Sequence, residues 1–256
     1  MSFSHGGCVE NDKTAWYQTY TLCYKDPDEV QRSGVAAVNE YSKSVFLGNP
    51  MTRRHAVSST GKLSRSESIA GRPVIHQGDV YAASHGGIFA ATDLRTGQAR
   101  WSVACGPESY SSPQLSQVLG DETVLMLTND GLLLLDPATG KVRLNYEWKF
   151  QGYRALQPTV IGDDIVLLPT PMSEGTRAIR LSKQGDQLAA EELWTTKDLK
   201  LDFTEIMAHQ GYLYGIDGSM FSCVDLKTGT RVWKDGRYGK GEGVLLESAD
   251  QILMAA

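Results

Sequence analysis

The phrase Asp225-Leu226-Lys227-Thr228-Gly229-Thr230-Arg231-Val232-Trp233 decides the fold of this chain, because it returns at a regular spacing. The pattern Asp-Leu-x-Thr-Gly, with a tryptophan four residues after the glycine, is also complete at 93–101. A third copy at 136–144 keeps the Thr-Gly turn but ends on Leu144 instead of tryptophan. A sequence repeat of about 40–45 residues is typical of repeat architectures such as propellers, so the period constrains the fold before any single residue is interpreted.

Glycines mark the turns of each repeat. The glycines late in the repeat are 43, 45 and 44 residues apart, and those of an earlier hairpin are 44, 44 and 43 apart: Gly97, Gly140, Gly185 and Gly229, and Gly87, Gly131, Gly175 and Gly218. Short runs of β-forming residues lie between them, as at 80–84 and 88–93. Each repeat therefore predicts four short strands, and the aspartates that recur with the turns are interpreted as turn-forming residues.

Four-stranded repeats of this length predict an all-β fold, a β-propeller of antiparallel blades in a single domain spanning 1–256. The predicted blades are a degenerate one at 35–70, then 71–104, 105–150, 151–197 and 198–235, with the start of a further blade at 243–256 and candidate closing strands in 1–34. About five to six blades are present. The alternatives are a closed six-bladed ring and an incomplete seven- or eight-bladed ring. The recurrent tryptophan is predicted to pack between neighbouring blades.

Composition excludes several classes of protein. The net charge is −5, whereas a dedicated nucleic-acid binder carries a basic stripe. The four cysteines, Cys8, Cys23, Cys105 and Cys223, include no C-x-x-C pair, which disfavours a zinc site. No secretory signal and no transmembrane segment is predicted within the chain.

The phrase at 93–101 and 225–233 resembles the pyrroloquinoline-quinone-like (PQQ-like) β-propeller repeat. The resemblance covers 72–256 and extends weakly over 35–70. Within this repeat family, the chain is similar to the scaffold lipoprotein of the bacterial outer-membrane β-barrel assembly machine. The resemblance implies a periplasmic or secreted protein with protein partners, and the net charge predicts no nucleic-acid partner. Any membrane association is expected through a partner or a lost lipid anchor.

The resemblance implies two functions. The preferred one is a non-catalytic scaffold for protein–protein interaction. The alternative is a PQQ-dependent dehydrogenase or a fragment of one, in which the quinone lies on a tryptophan floor under a disulfide between adjacent cysteines, with calcium held by carboxylate and amide oxygens. No two cysteines here are adjacent, and the recurrent carboxylates follow the turns. We therefore assign no catalytic, cofactor-binding or metal-binding residue and expect no cofactor.

A propeller binds partners through the loops at its faces, so the loops that enter the inner strands are the predicted binding surface. The residues predicted to form this channel mouth are Arg72, Tyr110, Ser112, Arg154, Gln157 and Phe203. The alternative is that they are ordinary loop residues.

Overall fold

The structure is a computed structural model that describes residues 56–57, 63–64, 69–84, 87–106, 109–152, 154–171 and 174–255. Within these ranges the chain forms strands and one 3₁₀ turn. A two-stranded N-terminal hairpin comes first, four four-stranded antiparallel sheets follow, and a two-stranded C-terminal hairpin ends the described part. Each four-stranded sheet runs in chain order, as a simple meander.

The strand bounds follow the repeat. The N-terminal hairpin is β1 (Ala56–Val57) and β2 (Leu63–Ser64). Blade 1 is β3 (Ile69–His76), β4 (Asp79–Ser84), β5 (Ile88–Asp93) and β6 (Ala99–Ala104). Blade 2 is β7 (Gln114–Val118), β8 (Asp121–Leu127), β9 (Gly131–Leu135) and β10 (Val142–Glu147). Blade 3 is β11 (Thr159–Ile161), β12 (Ile165–Thr170), β13 (Gly175–Gln184) and β14 (Gln187–Thr196). Blade 4 is β15 (Met207–His209), β16 (Tyr212–Asp217), β17 (Met220–Asp225) and β18 (Arg231–Arg237). The C-terminal hairpin is β19 (Glu242–Leu246), a 3₁₀ turn (Glu247–Ala249) and β20 (Gln251–Ala255).

The predicted all-β fold of four-stranded blades, a β-propeller architecture, is confirmed. The predicted ranges 71–104, 105–150, 151–197 and 198–235 each contain most of one observed blade, and 243–256 contains most of the C-terminal hairpin. Of the degenerate blade predicted at 35–70, the structure describes the N-terminal hairpin and the beginning of β3, and the candidate closing strands in 1–34 lie outside the described residues.

The chain divides into two compact units. One comprises Met1–Pro113 with Asp136–Lys141, and the other comprises Gln114–Leu135 with Val142–Ala256. Among the described residues, the first unit therefore contains β1–β6 and the turn between β9 and β10, and the second contains the remaining strands. The single domain spanning 1–256 stays a prediction.

The core of the second unit lies in the layers between successive blades. Leucines of β8 and β9 pack with Val166, Ile179 and Leu181 of blade 3. On the other side of blade 3, Leu167 and Ala178 pack with Leu213 and Val224 of blade 4. The middle strands read as continuous hydrophobic runs because a neighbour covers both of their faces, and each fully buried leucine or isoleucine contributes about 1.5–3 kcal/mol.

The recurrent tryptophan packs against the Thr-Gly turn of the next repeat. Trp194 donates its indole N–H to the Leu226 carbonyl at 2.9 Å, and a Cβ on Gly229 would lie 2.6 Å from the Trp194 ring. Gly229 has a φ of 70°, so glycine serves both the left-handed turn and the close approach of the ring. The prediction that this tryptophan packs between blades is confirmed for Trp194.

Trp101 makes the same contact within the first unit. Its indole N–H donates to the Pro137 carbonyl at 2.9 Å, and its ring lies over Gly140, whose hypothetical Cβ would be 2.5 Å away. Blade 2 has Leu144 in place of the tryptophan, and blade 3 correspondingly has no Asp-x-x-Thr-Gly turn. Instead β13 and β14 form a long hairpin, and Leu144 packs against the core cluster that includes Leu181 and Leu188. Tryptophan and turn are thus replaced together by an apolar contact.

The recurrent aspartates close the turns, as predicted. An Asp225 carboxylate oxygen accepts hydrogen bonds from the Thr228 backbone N–H at 2.8 Å and from the Thr228 hydroxyl at 3.0 Å. Asp93 with Thr96 and Asp136 with Thr139 repeat the arrangement. The backbone hydrogen bond from Thr228, followed by that from its hydroxyl, holds the pKa of Asp225 below its usual value of 3.8.

This lowered pKa predicts an acid-dependent contribution of the turn to stability. Because the pKa of Asp225 is lower in the folded state, its stabilising effect is complete above the ordinary carboxyl pKa and is lost as the pH falls through the folded-state value. The substitution Asp225→Asn should therefore reduce the fall in urea midpoint between about pH 6 and about pH 3. Glu191→Gln, at an exposed site on β14, is the control. An unchanged acid sensitivity of Asp225→Asn would contradict the assignment.

Candidate functional site

A small cleft of about 90 Å³ lies in the second unit where three blades begin. Gln114 opens β7, Thr159 opens β11, and Glu205 with Ile206 leads into β15. The complete lining is Gln114, Leu156, Gln157, Pro158, Thr159, Pro169, Glu205 and Ile206. Apart from Pro169, which lies near the end of β12, the lining residues come from the same place in each repeat, at the entry to the first strand, where the sequence predicts the binding surface.

The lining combines apolar walls with a few polar groups. Leu156, Ile206 and two prolines supply the walls, while glutamine amides, the Thr159 hydroxyl and the Glu205 carboxylate supply donors and acceptors. Within the described part of the chain, the buried Gln114 Oε1 atom has no hydrogen-bond partner. Phe203, two residues before Glu205, is 68% exposed.

Arg154 anchors the segment that carries Leu156 and Gln157. Its side chain is fully buried and donates hydrogen bonds to the Thr128 carbonyl at 2.5 Å and to the Trp148 carbonyl at 2.6 Å. These two carbonyls lie at the ends of β8 and β10, so the guanidinium ties the segment to blade 2. The prediction that Arg154 lies on the binding surface is therefore corrected. Arg154 is buried and holds in place the segment that carries Leu156 and Gln157.

The Trp148 ring contacts two arginine side chains, one of them that of Arg154. The guanidinium carbons of Arg154 and Arg177 lie 4.7 and 4.5 Å from the Trp148 ring centroid, at cation–π distance. Arg177 also contacts Glu192 at 3.3 Å, near the surface. Burial, followed by the charge of Arg177, lowers the pKa of Arg154 from its ordinary value to about 10. The buried guanidinium is therefore still protonated at neutral pH, and it is held by carbonyl dipoles and an aromatic face.

Buried charge also anchors the segment that carries Phe203 and Glu205. The Asp217 side chain is 3% exposed and accepts from Lys234 at 2.7 Å, with Arg231 at 3.5 Å. Arg231 contacts Asp198 at 2.7 Å, and Leu201 forms an isolated β-bridge to Asp217. The segments that carry Leu156 and Phe203 are thus each held by an ionic group inside the second unit, which helps to fix the positions of their exposed residues.

The remaining predicted residues are distributed as follows. Gln157 lines the cleft and Phe203 is exposed near it. Tyr110 and Ser112 are half-buried in the first unit, in the segment that leads to β7. Arg72 lies within β3, and its side chain is outside the described part. Gln114 and Glu205 line the cleft and were not among the predicted residues, although Gln114 follows Pro113 just as Thr159 follows Pro158 at the same place in the repeat.

The described residues do not match the site of a quinone enzyme. Trp101 and Trp194 are engaged with turn carbonyls, and Cys105 and Cys223 are free and buried. In the described ranges no group of three or more His, Cys, Asp or Glu side chains could hold a metal ion. We therefore derive no chemistry from a bound quinone. Of the helices in the same ranges, none has the length and apolarity needed to cross a membrane.

Comparison with known proteins gives one family match. The family model for outer membrane protein assembly factor BamB matches residues 66–235, about two-thirds of the chain. A europium-containing methanol dehydrogenase is similar in structure over 81% of this chain and 54% of its own, with 11% identity and a TM-score of 0.53, which shows the fold. BamB from Moraxella catarrhalis is similar over 66% of this chain and 49% of its own, with 16% identity and a TM-score of 0.44. The chain thus spans about half the length of these structures. No curated protein sequence matches.

Proposed function

The chain belongs to the outer membrane protein assembly factor BamB family, and we propose that it is a non-catalytic scaffold that binds a protein partner in the periplasm or at the outer membrane. Family membership supports the kind of role and the location. The cleft at the blade entries, with Phe203 exposed beside it, supports the place of binding.

The cleft carries this proposal because its chemistry matches protein recognition. Prominent aromatic side chains flanked by polar groups are typical of interface hot spots. Phe203 supplies the aromatic anchor, and Glu205 gives the surface a negative charge that favours a basic partner residue. Because Arg154 and Asp217 hold the supporting segments from inside, little conformational entropy is lost on binding.

The non-catalytic part of the proposal rests on how the conspicuous residues are used. The recurrent aspartates accept turn hydrogen bonds, and Trp194 donates to a backbone carbonyl. The residues that would be expected in a quinone site are thus engaged in building blades. No nucleic-acid partner is proposed, since the net charge is −5.

Site-specific crosslinking tests the proposal. A photoreactive phenylalanine analogue at position 203 should capture a protein from envelope extracts, whereas the analogue at Lys227, an exposed turn residue of the same blade, should not. The purified partner should bind Phe203→Ser and Glu205→Lys variants about tenfold more weakly, with unchanged urea midpoints. Equal capture at both positions, or unchanged affinity of both variants, would overturn the site.

A spectroscopic experiment tests the absence of a cofactor separately. The protein is mixed with PQQ and calcium, desalted, and its absorbance spectrum recorded. We expect no retained chromophore. A stoichiometric bound quinone would overturn the non-catalytic assignment and support the PQQ-dependent dehydrogenase alternative.

A further inference from the structure

The cleft at the blade entries has the size of one side chain. Pockets that bind drug-sized ligands measure about 300–1,000 Å³, whereas this cleft measures about 90 Å³. One water molecule takes up about 30 Å³ of the liquid, so the cleft has room for roughly three waters or for a short chain of carbon atoms. Its size therefore suits a single side chain of a larger molecule.

The walls of the cleft are apolar and belong to the core. Leu156 and Ile206 are 6% and 7% exposed, and both are members of the hydrophobic cluster between blades 3 and 4. Pro158 and Pro169 are also buried, and they complete the walls. Residues packed into a core are in place before a ligand arrives, so these four give a fixed apolar lining for a hydrocarbon stem.

A buried acceptor in the cleft is left without a donor. The Gln114 Oε1 atom is buried and, among the described residues, has no hydrogen-bond partner. Gln114 is the first residue of β7, and its pairing with Leu125 fixes the backbone that carries this amide. An unsatisfied buried acceptor is costly, so a ligand that brings an N–H donor to it gains affinity.

The lining has a negative charge. Among the eight described residues of the lining, Glu205 alone is charged, and the Thr204 hydroxyl beside it donates to the Gly241 carbonyl at 3.2 Å, which holds this backbone in place. The basic residues that anchor the neighbouring segments are engaged elsewhere, Arg154 with carbonyls of blade 2 and Lys234 with a buried carboxylate. The cleft therefore favours a cationic donor.

We propose that the cleft receives a lysine side chain of the partner protein, with its four-carbon stem between the apolar walls and its ammonium group donating to Gln114 Oε1 and to the Glu205 carboxylate. This inference rests on the proposed function for the protein that carries the lysine. Lysine fits better than arginine because the two acceptors belong to different blades. An ammonium group directs three donors to separate acceptors, whereas a planar guanidinium is matched best by the two oxygens of one carboxylate.

Two blocked amino acids test the cleft without the partner. Nα-acetyl-lysine N-methylamide and Nα-acetyl-norleucine N-methylamide share the four-carbon stem, and only the lysine probe carries an ammonium group. Each is titrated into the full chain while the side-chain amide signals of Gln114 and Gln157 are followed by NMR. The lysine probe should shift these signals along a saturating curve. The norleucine probe should bind about tenfold more weakly, because it brings no charged donor.

Four variants assign the contacts of the ammonium group. Glu205→Gln and Gln114→Leu should each weaken binding of the lysine probe about tenfold, since each removes one acceptor. Gln114→Glu keeps the shape of the side chain and adds a carboxylate, so it should bind the lysine probe more tightly than the unmodified protein. Glu191→Gln removes the same charge from an exposed site on β14 and is the matched control, with unchanged binding.

The outcomes separate this site from the proposed function. No saturable shift with the lysine probe, equal binding of the norleucine probe, or equal effects of Glu205→Gln and Glu191→Gln would overturn the lysine site. If crosslinking at position 203 captured a protein while the lysine probe did not bind, only the lysine site would be wrong. If the lysine probe bound selectively while no protein was captured, the chemistry of the cleft would stand and the scaffold role would be wrong.

Discussion

Replacing Arg154 by methionine is expected to destabilise the second unit by about 3 kcal/mol, since two charge-assisted hydrogen bonds are worth about 1.5–3 kcal/mol each and removing a buried desolvated charge returns part of the loss. The Thr128 and Trp148 carbonyls would be left without their guanidinium donors. Equilibrium urea unfolding followed by tryptophan fluorescence measures the effect.

Arg154→Lys separates charge from geometry. Lysine keeps the positive charge but lacks the planar fork that reaches two carbonyls at once, so an intermediate loss is expected. Arg180→Met removes an arginine whose side chain is 51% exposed and should change stability by less than about 1 kcal/mol. If Arg154→Met were as stable as Arg180→Met, the anchoring role of Arg154 would be wrong.

Trp194→Ala should have the largest effect, a loss of about 3–5 kcal/mol, as is typical for truncation of a buried tryptophan. The side chain is 9% exposed, packs over Gly229 and donates to the Leu226 carbonyl. Trp194→Phe retains most of the packing and loses the N–H donor, so about 1 kcal/mol of the loss should remain. Thermal and urea unfolding of the three proteins test this, and a small effect of Trp194→Ala would contradict the interlocking role.

A glycine pair tests the same contact from its other side. Gly229 and Gly185 have φ of 70° and 62°, so alanine at either position should lower the free energy of unfolding by about 1 kcal/mol because of the left-handed backbone. At Gly229 the new Cβ would also meet the Trp194 ring at 2.6 Å, while at Gly185 it would meet nothing within 4 Å. Gly229→Ala should therefore be clearly less stable than Gly185→Ala. If Gly229→Ala and Gly185→Ala were equally stable, the packing of Trp194 would not require a residue without a Cβ at position 229.

Local rules explain why much of the architecture was predictable. Each strand of blade 1 lies close to a short β-forming run bounded by glycine or aspartate, since turn chemistry depends on neighbouring residues. The Asp225–Thr228 turn was predictable for the same reason, because its partners are three residues apart. The contact between Trp194 and Leu226 spans 32 residues, yet the repeat period indicated it.

The candidate site was only partly predictable. Gln157 lines the cleft and Phe203 lies exposed in the segment that leads to β15, because the repeat identifies where first strands begin. Their role in binding stays a prediction. Arg154 was misplaced, since an arginine three residues before Gln157 has the composition of a surface loop. Its burial depends on carbonyls at Thr128 and Trp148, which no local pattern relates to it.

The β-propeller blades, their period and their turns follow from the sequence, because they depend on residues that are close in the chain or repeat at one spacing. Long-range packing establishes that Arg154 is an internal anchor, that Asp217 holds the Phe203 segment, and that Trp233 is exposed where Trp194 is covered. Burial and the pairing of charges depend on which distant elements meet, and a single position in a repeat does not specify its neighbours in space.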